Sequence, residues 1–423
     1  MTDTKSLPAW RPLLTGARRD AAIAAVEAIA KDLRADSLAS VGPSLGRGRA
    51  GLAFAFTYLA EALPGRDYES FADENISQAI EGIAESPLGA GLYAGYTGVA
   101  LVYDLVARVL YAGPPEEDAL AEIDDSLIEV LAQPPVGLAH ELIEGMAGIA
   151  VYAVGRGPQA SAQRIVTLIL DALEARAEHT AAGIRWATIP AMLHPARRAG
   201  APALAYNLGV SHGIPGTIAA LAAIVGEGGP AADLDRARRL LDGSLRWLFA
   251  QVEPDGPGGL DYLVDPDGTR GAARLAWCYG DAGAAVALLW ASRVHGDPAF
   301  IEAALSLGRR AAARDEESSG VTDAGLCHGA SGLGHIFNRL WQMSGEAAFE
   351  NAALAWFDRS LAYGGSGTGY GGYTAWTSAD QAAQSSAGFL EGSAGIALAY
   401  ASAVAELEPR WDRVLSLSPP SPA

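Results

Sequence analysis

The chain has 423 residues, half of them apolar, with 49 acidic against 30 basic side chains and a formal net charge of −19. That length is enough to bury a substantial core as one large or two ordinary domains, and the composition is globular, not disordered. The acidic balance argues against a nucleic-acid partner, because phosphate binding needs a basic surface, and the two cysteines, Cys278 and Cys327, exclude a disulfide scaffold.

The N-terminus, Met1-Thr-Asp-Thr-Lys-Ser6, lacks an apolar export core, which leads us to expect a cytoplasmic protein. From Asp20 to Arg34 a charged face recurs at helical spacing. Then comes Gly48-Arg-Ala-Gly51, the first of seven Gly-x-x-Gly turns. The others start at Gly95, Gly145, Gly213, Gly280, Gly329 and Gly392, at intervals of 47, 50, 68, 67, 49 and 63 residues. Each turn opens an Ala-rich apolar run, such as Gly51–Ala60 or Gly283–Trp290, and a helix apolar on nearly every side is buried on every side. Between these runs lie amphipathic segments, among them Asp233 to Val252, Asp297 to Arg314 and Glu346 to Leu361.

Three longer intervals break the pattern. Residues 178–206 are expected to form strands, and residues 253–276, with Pro-Asp-Gly at 254–256 and again at 266–268, read as a hairpin. The run Gly364–Gly372 is too glycine-rich for a helix and reads as a loop. All three precede a Gly-x-x-Gly turn and are expected over one end of the fold. The longest uncharged stretch, Ala199 to Gly226, is interrupted by Asn207, Ser211-His212 and Pro215, so it is a poor candidate for a membrane span. The Ser- and Pro-rich tail, 415–423, is expected to be disordered.

An amphipathic helix, a glycine turn and a buried helix, seven times over, predict an all-α fold. We expect one domain over 1–414, an α/α toroid: a double barrel of seven inner and seven outer helices, closed so that the seventh copy meets the first. Glycine at the turns is expected to allow positive φ and close approach of the inner helices, whose N-termini would gather at one end.

The residues beside three consecutive turns carry the chemistry. Cys278 lies two before Gly280, Cys327 two before Gly329, and His328 follows directly. Adjacent turns of a ring are neighbours, so three ligands converge; two buried thiols or a disulfide are the plainer readings. Two thiolates and a neutral imidazole would leave one position of a tetrahedral zinc open, the layout of a catalytic site. Such a zinc is formally neutral, a weaker acid than one held by three histidines, and suits activating a thiol more than hydrolysing an amide. The same ligand set also serves alcohol dehydrogenases and deaminases. His212, in the preceding turn, is the candidate proton donor or acceptor, unless it only caps that turn. Arg274, four before Cys278, would bring positive charge to the metal mouth or form a salt bridge. Glu141, four before Gly145, could orient His212, take a proton or be solvated. His335 is read as core packing, and His140, His179, His194 and His295 as structural or exposed.

Arg274-Leu-Ala-Trp-Cys-Tyr-Gly280, Cys327-His-Gly329, Ser211-His-Gly213 and the sevenfold Gly-x-x-Gly resemble the LanC family of lanthionine synthetase cyclases, over essentially the whole chain. The resemblance implies a toroid with a small inserted lobe over the active-site mouth and one catalytic zinc per chain. It implies addition of precursor-peptide Cys thiols to dehydroalanine or dehydrobutyrine, closing thioether rings in a dehydrated leader-plus-core peptide. On this resemblance Cys278, Cys327 and His328 look like the zinc ligands, His212 the acid/base, and Arg274 and Tyr279 further active-site positions. At 141 the family's bacterial cyclases typically have Asp where this chain has Glu. A dehydratase partner stays open. Two rivals remain: an α/α-barrel glycosidase using Asp281 and Glu391 as acid and base, and a non-enzymatic peptide-binding repeat protein.

Overall fold

Every Gly-x-x-Gly turn is the start of a helix, and six of these seven helices are buried along most of their length, while the one opened at Gly95 is buried at about half of its residues. The computed structural model describes residues 9–111, 118–193, 198, 204–227, 229–253, 259–268, 270–365, 368–377 and 382–418. The outer helix α1 (Gly16–Ala35) is followed by the first inner helix, α2 (Arg49–Ala62). Outer and inner helices then alternate: α3 (Tyr68–Glu85) and α4 (Tyr96–Leu110), α5 (Ala121–Ala132) and α6 (Met146–Gly155), α7 (Ala160–Arg176) and α8 (Ile214–Gly226). Next come α9 (Leu234–Phe249) and α10 (Asp281–His295), then α11 (Pro298–Ala312), the single turn α12 (Glu316–Ser319) and α13 (Ala330–Ser344). The series ends with α14 (Ala347–Tyr363) and α15 (Ser393–Val404).

The inner set packs in a closed ring, each helix against the next and α15 against α2. The outer helix α1 packs on α15, so the N-terminal helix completes the last hairpin. Sequence explains the two layers. In α15 every residue from Ser393 to Val404 is buried, whereas α9 buries Ala237, Leu240, Leu241, Leu245 and Leu248 and turns Arg238, Arg239 and Arg246 outward. Each such leucine stabilises the layer by about 1.5–3 kcal/mol. The all-α double barrel expected from the repeat is the fold observed.

The turns need glycine mainly for space. A Cβ on the second glycine of any copy would lie 1.9–2.3 Å from the carbonyl oxygen six residues upstream: Leu45 for Gly51, Leu92 for Gly98, Leu326 for Gly332. Of the first glycines only Gly280 has positive φ, at 85°; the rest are extended. The expectation of positive φ therefore fails at six turns, and the expected close approach holds: the same Cβ on Gly98 would also be 2.8 Å from the Leu45 side chain of the preceding copy.

Strands cluster in the long intervals. β1 (Glu178–Thr180) pairs antiparallel with β2 (Gly183–Arg185), and this hairpin packs against α9, Ile184 against Gly243. It therefore lies on the outer layer, not over the turns as expected. β3 (Tyr206–Asn207), β4 (Leu263–Val264) and β5 (Arg270–Gly271) form one antiparallel sheet that joins the two insertions. Residues 254–256 lie outside the described residues, and the turn Asp265–Gly268 closes the expected hairpin. In the Gly364–Gly372 interval Tyr370–Gly372 forms a 3-10 turn. The sequence reading missed β6 (Ala375–Thr377) and β7 (Ala382–Gln384), which follow it.

The tail differs most from expectation. Residues Arg410–Leu415 form a 3-10 turn, and Leu415, Ser416, Leu417 and Ser418 are buried; 419–423 lie outside the described residues. The Tyr93 hydroxyl donates to the Val414 carbonyl (2.7 Å), Trp277 Nε1 to Leu415 (2.8 Å) and Trp290 Nε1 to Ser416 (2.9 Å). Donors from widely separated repeats converge on this segment, so it fills the barrel. Low-complexity composition did not make it disordered, because those indoles and phenol hold its carbonyls. Asp412 completes the plug by accepting from His335 Nε2 (2.7 Å) and Arg339 Nε (2.6 Å). His335 is thus a core residue, as expected.

Candidate metal centre

The turns are stitched to one another by main-chain hydrogen bonds at the residue two before each first glycine, except that Leu142, three before Gly145, is the donor from its turn. Gly46 N–H donates to the Tyr93 carbonyl (2.8 Å), Tyr93 to Ile143 (3.1 Å), Leu142 to Ser211 (3.2 Å) and Ser211 to Cys278 (3.3 Å). Cys278 donates to Cys327 (3.3 Å), Cys327 to Leu390 (2.9 Å), and Leu390 back to Gly46 (3.0 Å). This cycle makes Cys278 and Cys327 neighbours although 49 residues separate Gly280 from Gly329. The residues directly before the glycines, Arg47, Ala94, Glu144, His212, Tyr279, His328 and Glu391, ring the same end.

Cys278, Cys327 and His328 each offer a ligand atom, and these atoms all lie within 4.8 Å of one another. Both cysteines are free and buried, 5% and 8% exposed, and the His328 side chain is 12% exposed. His328 Nδ1 is buried without a hydrogen-bond partner, an expensive state for a polar atom in this setting. The Cys278 thiol is held well below its ordinary value, first by its hydrogen bond to Cys327, against burial, and then by His328 and Arg274. Cys327 is pushed well above it, by the same hydrogen bond and by burial. One thiolate forms readily, and its charge suppresses the second. A divalent cation offsets that repulsion, so a soft donor set of two sulfurs and one orphaned imidazole nitrogen fits zinc. The disulfide reading is set aside by the free thiols.

His212 is held from the neighbouring turn. Ser211 N–H and Oγ both donate to the Cys278 carbonyl (3.3 and 3.2 Å), anchoring the His212 turn on the ligand turn. His212 Nδ1 lies 2.6 Å from Glu141 Oε2. Glu141 is 4% exposed, and its carboxylate accepts from Ile143 N–H (3.1 Å) and Glu144 N–H (2.7 Å). It is therefore neither solvated nor loose: the longer side chain reaches His212 from a turn that fixes it. Taking the Ile143 N–H also explains why Leu142 serves as the donor to Ser211 at that step of the cycle. A carboxylate only accepts, so Nδ1 is the donor and proton exchange falls to Nε2. The Tyr279 ring lies 6.5 Å from His212 and 6.0 Å, edge-on, from Tyr262 of the inserted lobe. Arg274 is exposed and makes no ion pair among the described residues; its charge draws the Cys278 thiol down.

The other candidates resolve as structure. Asp281 Oδ1 and Oδ2 accept from Leu260 and Gly259 N–H (both 3.0 Å), and Glu391 pairs with Arg47 (2.5 Å), so neither has the setting of a glycosidase acid or base. His140 is 2% exposed with Nδ1 2.8 Å from Thr217 Oγ1, and His295 Nε2 faces Asp242 at 3.2 Å. His179 is exposed on β1, and His194 lies outside the described residues. Sequence reasoning overlooked Asp323, which stands six before Gly329 as Arg274 stands six before Gly280. Aligning that position shows Gly42, Gly89, Ala139, Asn207 and Ser386 elsewhere, so a charged residue there was a usable signal.

The family model for lanthionine synthetase C-like proteins matches residues 39–416. Among solved structures, nisin cyclase superposes with a TM-score of 0.70 at 19% identity, covering 93% of this chain and 96% of that one. An inactive variant of an alpha-1,6-mannanase of Salegentibacter sp. superposes at a TM-score of 0.44 and 10% identity, covering 92% of this chain and 99% of that one.

Proposed function

The chain belongs to the lanthionine synthetase C-like family, and from that premise we propose that it is a zinc-dependent cyclase closing thioether rings in a dehydrated precursor peptide. The observation that carries the proposal is the convergence of Cys278, Cys327 and His328 within 4.8 Å, beside a His212 whose tautomer Glu141 fixes. Zinc held by two thiolates and an imidazole lowers the pKa of a bound thiol while keeping its sulfur electron-rich.

The net reaction moves one proton. It leaves the thiol sulfur and ends on the α carbon of the dehydroamino acid, while a carbon–sulfur bond forms at the β carbon and the carbon–carbon π bond is consumed. His212 Nε2 takes or returns that proton, and the buried Glu141 carboxylate stabilises the imidazolium in between. The Arg274 guanidinium supplies positive charge where negative charge develops on the acceptor carbonyl, an effect realised mainly in the transition state. Tyr279 shapes the wall between His212 and the lobe. Among the described residues no helix is long and apolar enough to cross a membrane.

Elemental analysis of protein purified without added metal should show about one zinc per chain. Thiol alkylation and mass spectrometry on a dehydrated cysteine-containing peptide should show cysteines becoming unreactive without mass change. Purified protein with no zinc, or a peptide whose cysteines stay alkylatable, overturns the proposal. A peptide-binding protein without catalysis would give binding and no loss of free thiol.

A further inference from the structure

We infer that Asp323 is a positioning residue of the metal centre, orienting the His328 ring and tying it to the strand that carries Trp376; the inference rests on the zinc reading above. Asp323 is 4% exposed. Its Oδ1 accepts from Gly325 N–H (3.0 Å) and its Oδ2 from Trp376 N–H (3.0 Å), which fixes the carboxylate plane from two sides. Oδ2 lies 3.9 Å from His328 Nε2, an ion-pair separation and not a hydrogen bond. The ring's other nitrogen, Nδ1, is the buried atom without a partner.

The two nitrogens therefore differ: Nε2 has a carboxylate nearby, and Nδ1 has no hydrogen-bond partner although the Cys278 and Cys327 thiols lie close to the ring. That is the division found where a metal-bound imidazole gives its second N–H to an outer carboxylate, which sets the tautomer and raises ligand basicity. A carboxylate beside Nε2 favours the proton there and leaves the Nδ1 lone pair for a cation.

The turn itself does not need the carboxylate. Ala330 N–H donates to the Asp323 main-chain carbonyl (2.9 Å), and the same bond is made to Gly42 by Arg49, to Gly89 by Tyr96, to Ala139 by Met146 and to Ser386 by Ser393. Residues with no carboxylate close four other turns in the same way. What Asp323 adds is charge near His328 and a tether to β6, whose Trp376 is 37% exposed.

The test is zinc affinity by competition with a chromophoric chelator, with the visible spectrum of the cobalt-substituted protein as a second readout. Asp323→Asn keeps size and one acceptor but loses the charge. It is expected to weaken zinc binding about 10–100-fold and to shift the cobalt spectrum, with helical circular dichroism intact. Asp323→Glu should recover part of the affinity. If the Asn variant loses helical signal, Asp323→Ser, the residue that the seventh repeat carries at this position, is the replacement and is expected to weaken zinc binding equally. Wild-type zinc affinity in a folded Asn or Ser variant overturns the inference alone. Wild-type protein that binds no zinc overturns the metal reading, and this inference with it.

Discussion

The turns at Gly213, Gly280 and Gly329 form one arc of the ring, and those at Gly392, Gly48 and Gly95 form another. Both arcs pass an N–H from the residue at position −2 to the carbonyl of the next turn, within 2.8–3.3 Å. Both seat their second glycine against an upstream carbonyl at about the same distance, 1.9 Å for Gly332 and 1.9 Å for Gly98. Yet one arc presents Cys278, Cys327, His328, His212 and Tyr279, and the other presents Leu390, Gly46, Tyr93, Glu391, Arg47 and Ala94. The main chain supplies nearly the same geometry all the way round, with exceptions at Leu142 and at the positive φ of Gly280. Side-chain identity at two positions per turn decides whether that geometry gathers donors that could hold a metal.

The largest effect should come from erasing the difference between the arcs. Cys278→Ala or Cys327→Ala is expected to lose zinc and ring closure together, measured by elemental analysis and thiol alkylation, while thermal unfolding stays cooperative. Leu390→Ala, at the same position one turn on, should keep its zinc and lose only about 1–2 kcal/mol of stability, less than a fully buried leucine would cost. Full zinc in either cysteine variant would break the comparison.

A smaller but still large effect separates ligand from proton carrier within the active arc. His212→Asn should retain zinc and slow cyclisation about 10²–10⁴-fold, the usual worth of a positioned acid or base. Zinc-replete Arg274→Ala should follow at about 10²-fold slower. Arg274→Lys should fall between, because charge survives while the planar fork does not. Initial rates at about pH 6–7, where uncatalysed thiolate is scarce, report both. Unchanged rates would return these residues to a structural role.

The shared geometry is tested by matched glycines. Gly98→Ala and Gly332→Ala each force a Cβ to 1.9 Å from a carbonyl and should cost stability alike, about 3 kcal/mol. Only the second should also reduce zinc affinity. Unequal destabilisation, read from urea midpoints, would mean that the arcs are not equivalent in backbone.

The smallest effect is a pH limb set by a residue that borders the site without serving it. Burial holds His140 down to about 4 from 6.5. The unfolded chain therefore binds the extra proton first on acidification: the stability is complete above about pH 6.5 and is lost as pH falls towards 4, by at most roughly 3 kcal/mol. His140→Gln should flatten that limb in denaturant titrations taken across the window. An identical slope in the variant would assign the acid sensitivity elsewhere.

Periodicity in the chain revealed the repeat, the two helix layers, and the cluster of Cys278, Cys327 and His328, because each is a local fact: burial on every side of a run, or a residue at a fixed offset from a glycine. The same locality explains the errors. Composition suggested a loose tail at 415, whereas buried donors from Tyr93, Trp277 and Trp290 hold its carbonyls. Glycine suggested positive φ, whereas six of the seven first glycines are extended and Cβ crowding explains their presence.

What the sequence alone determined is therefore which turns carry metal-binding and acid–base residue types. Only the tertiary structure decided which groups meet across them. Glu141 reaches His212 over 71 residues because neighbouring turns are locked in register by their main-chain bonds, and Asp323 holds Trp376 of β6 over 53. That register follows from close approach of backbones, which no single repeat encodes.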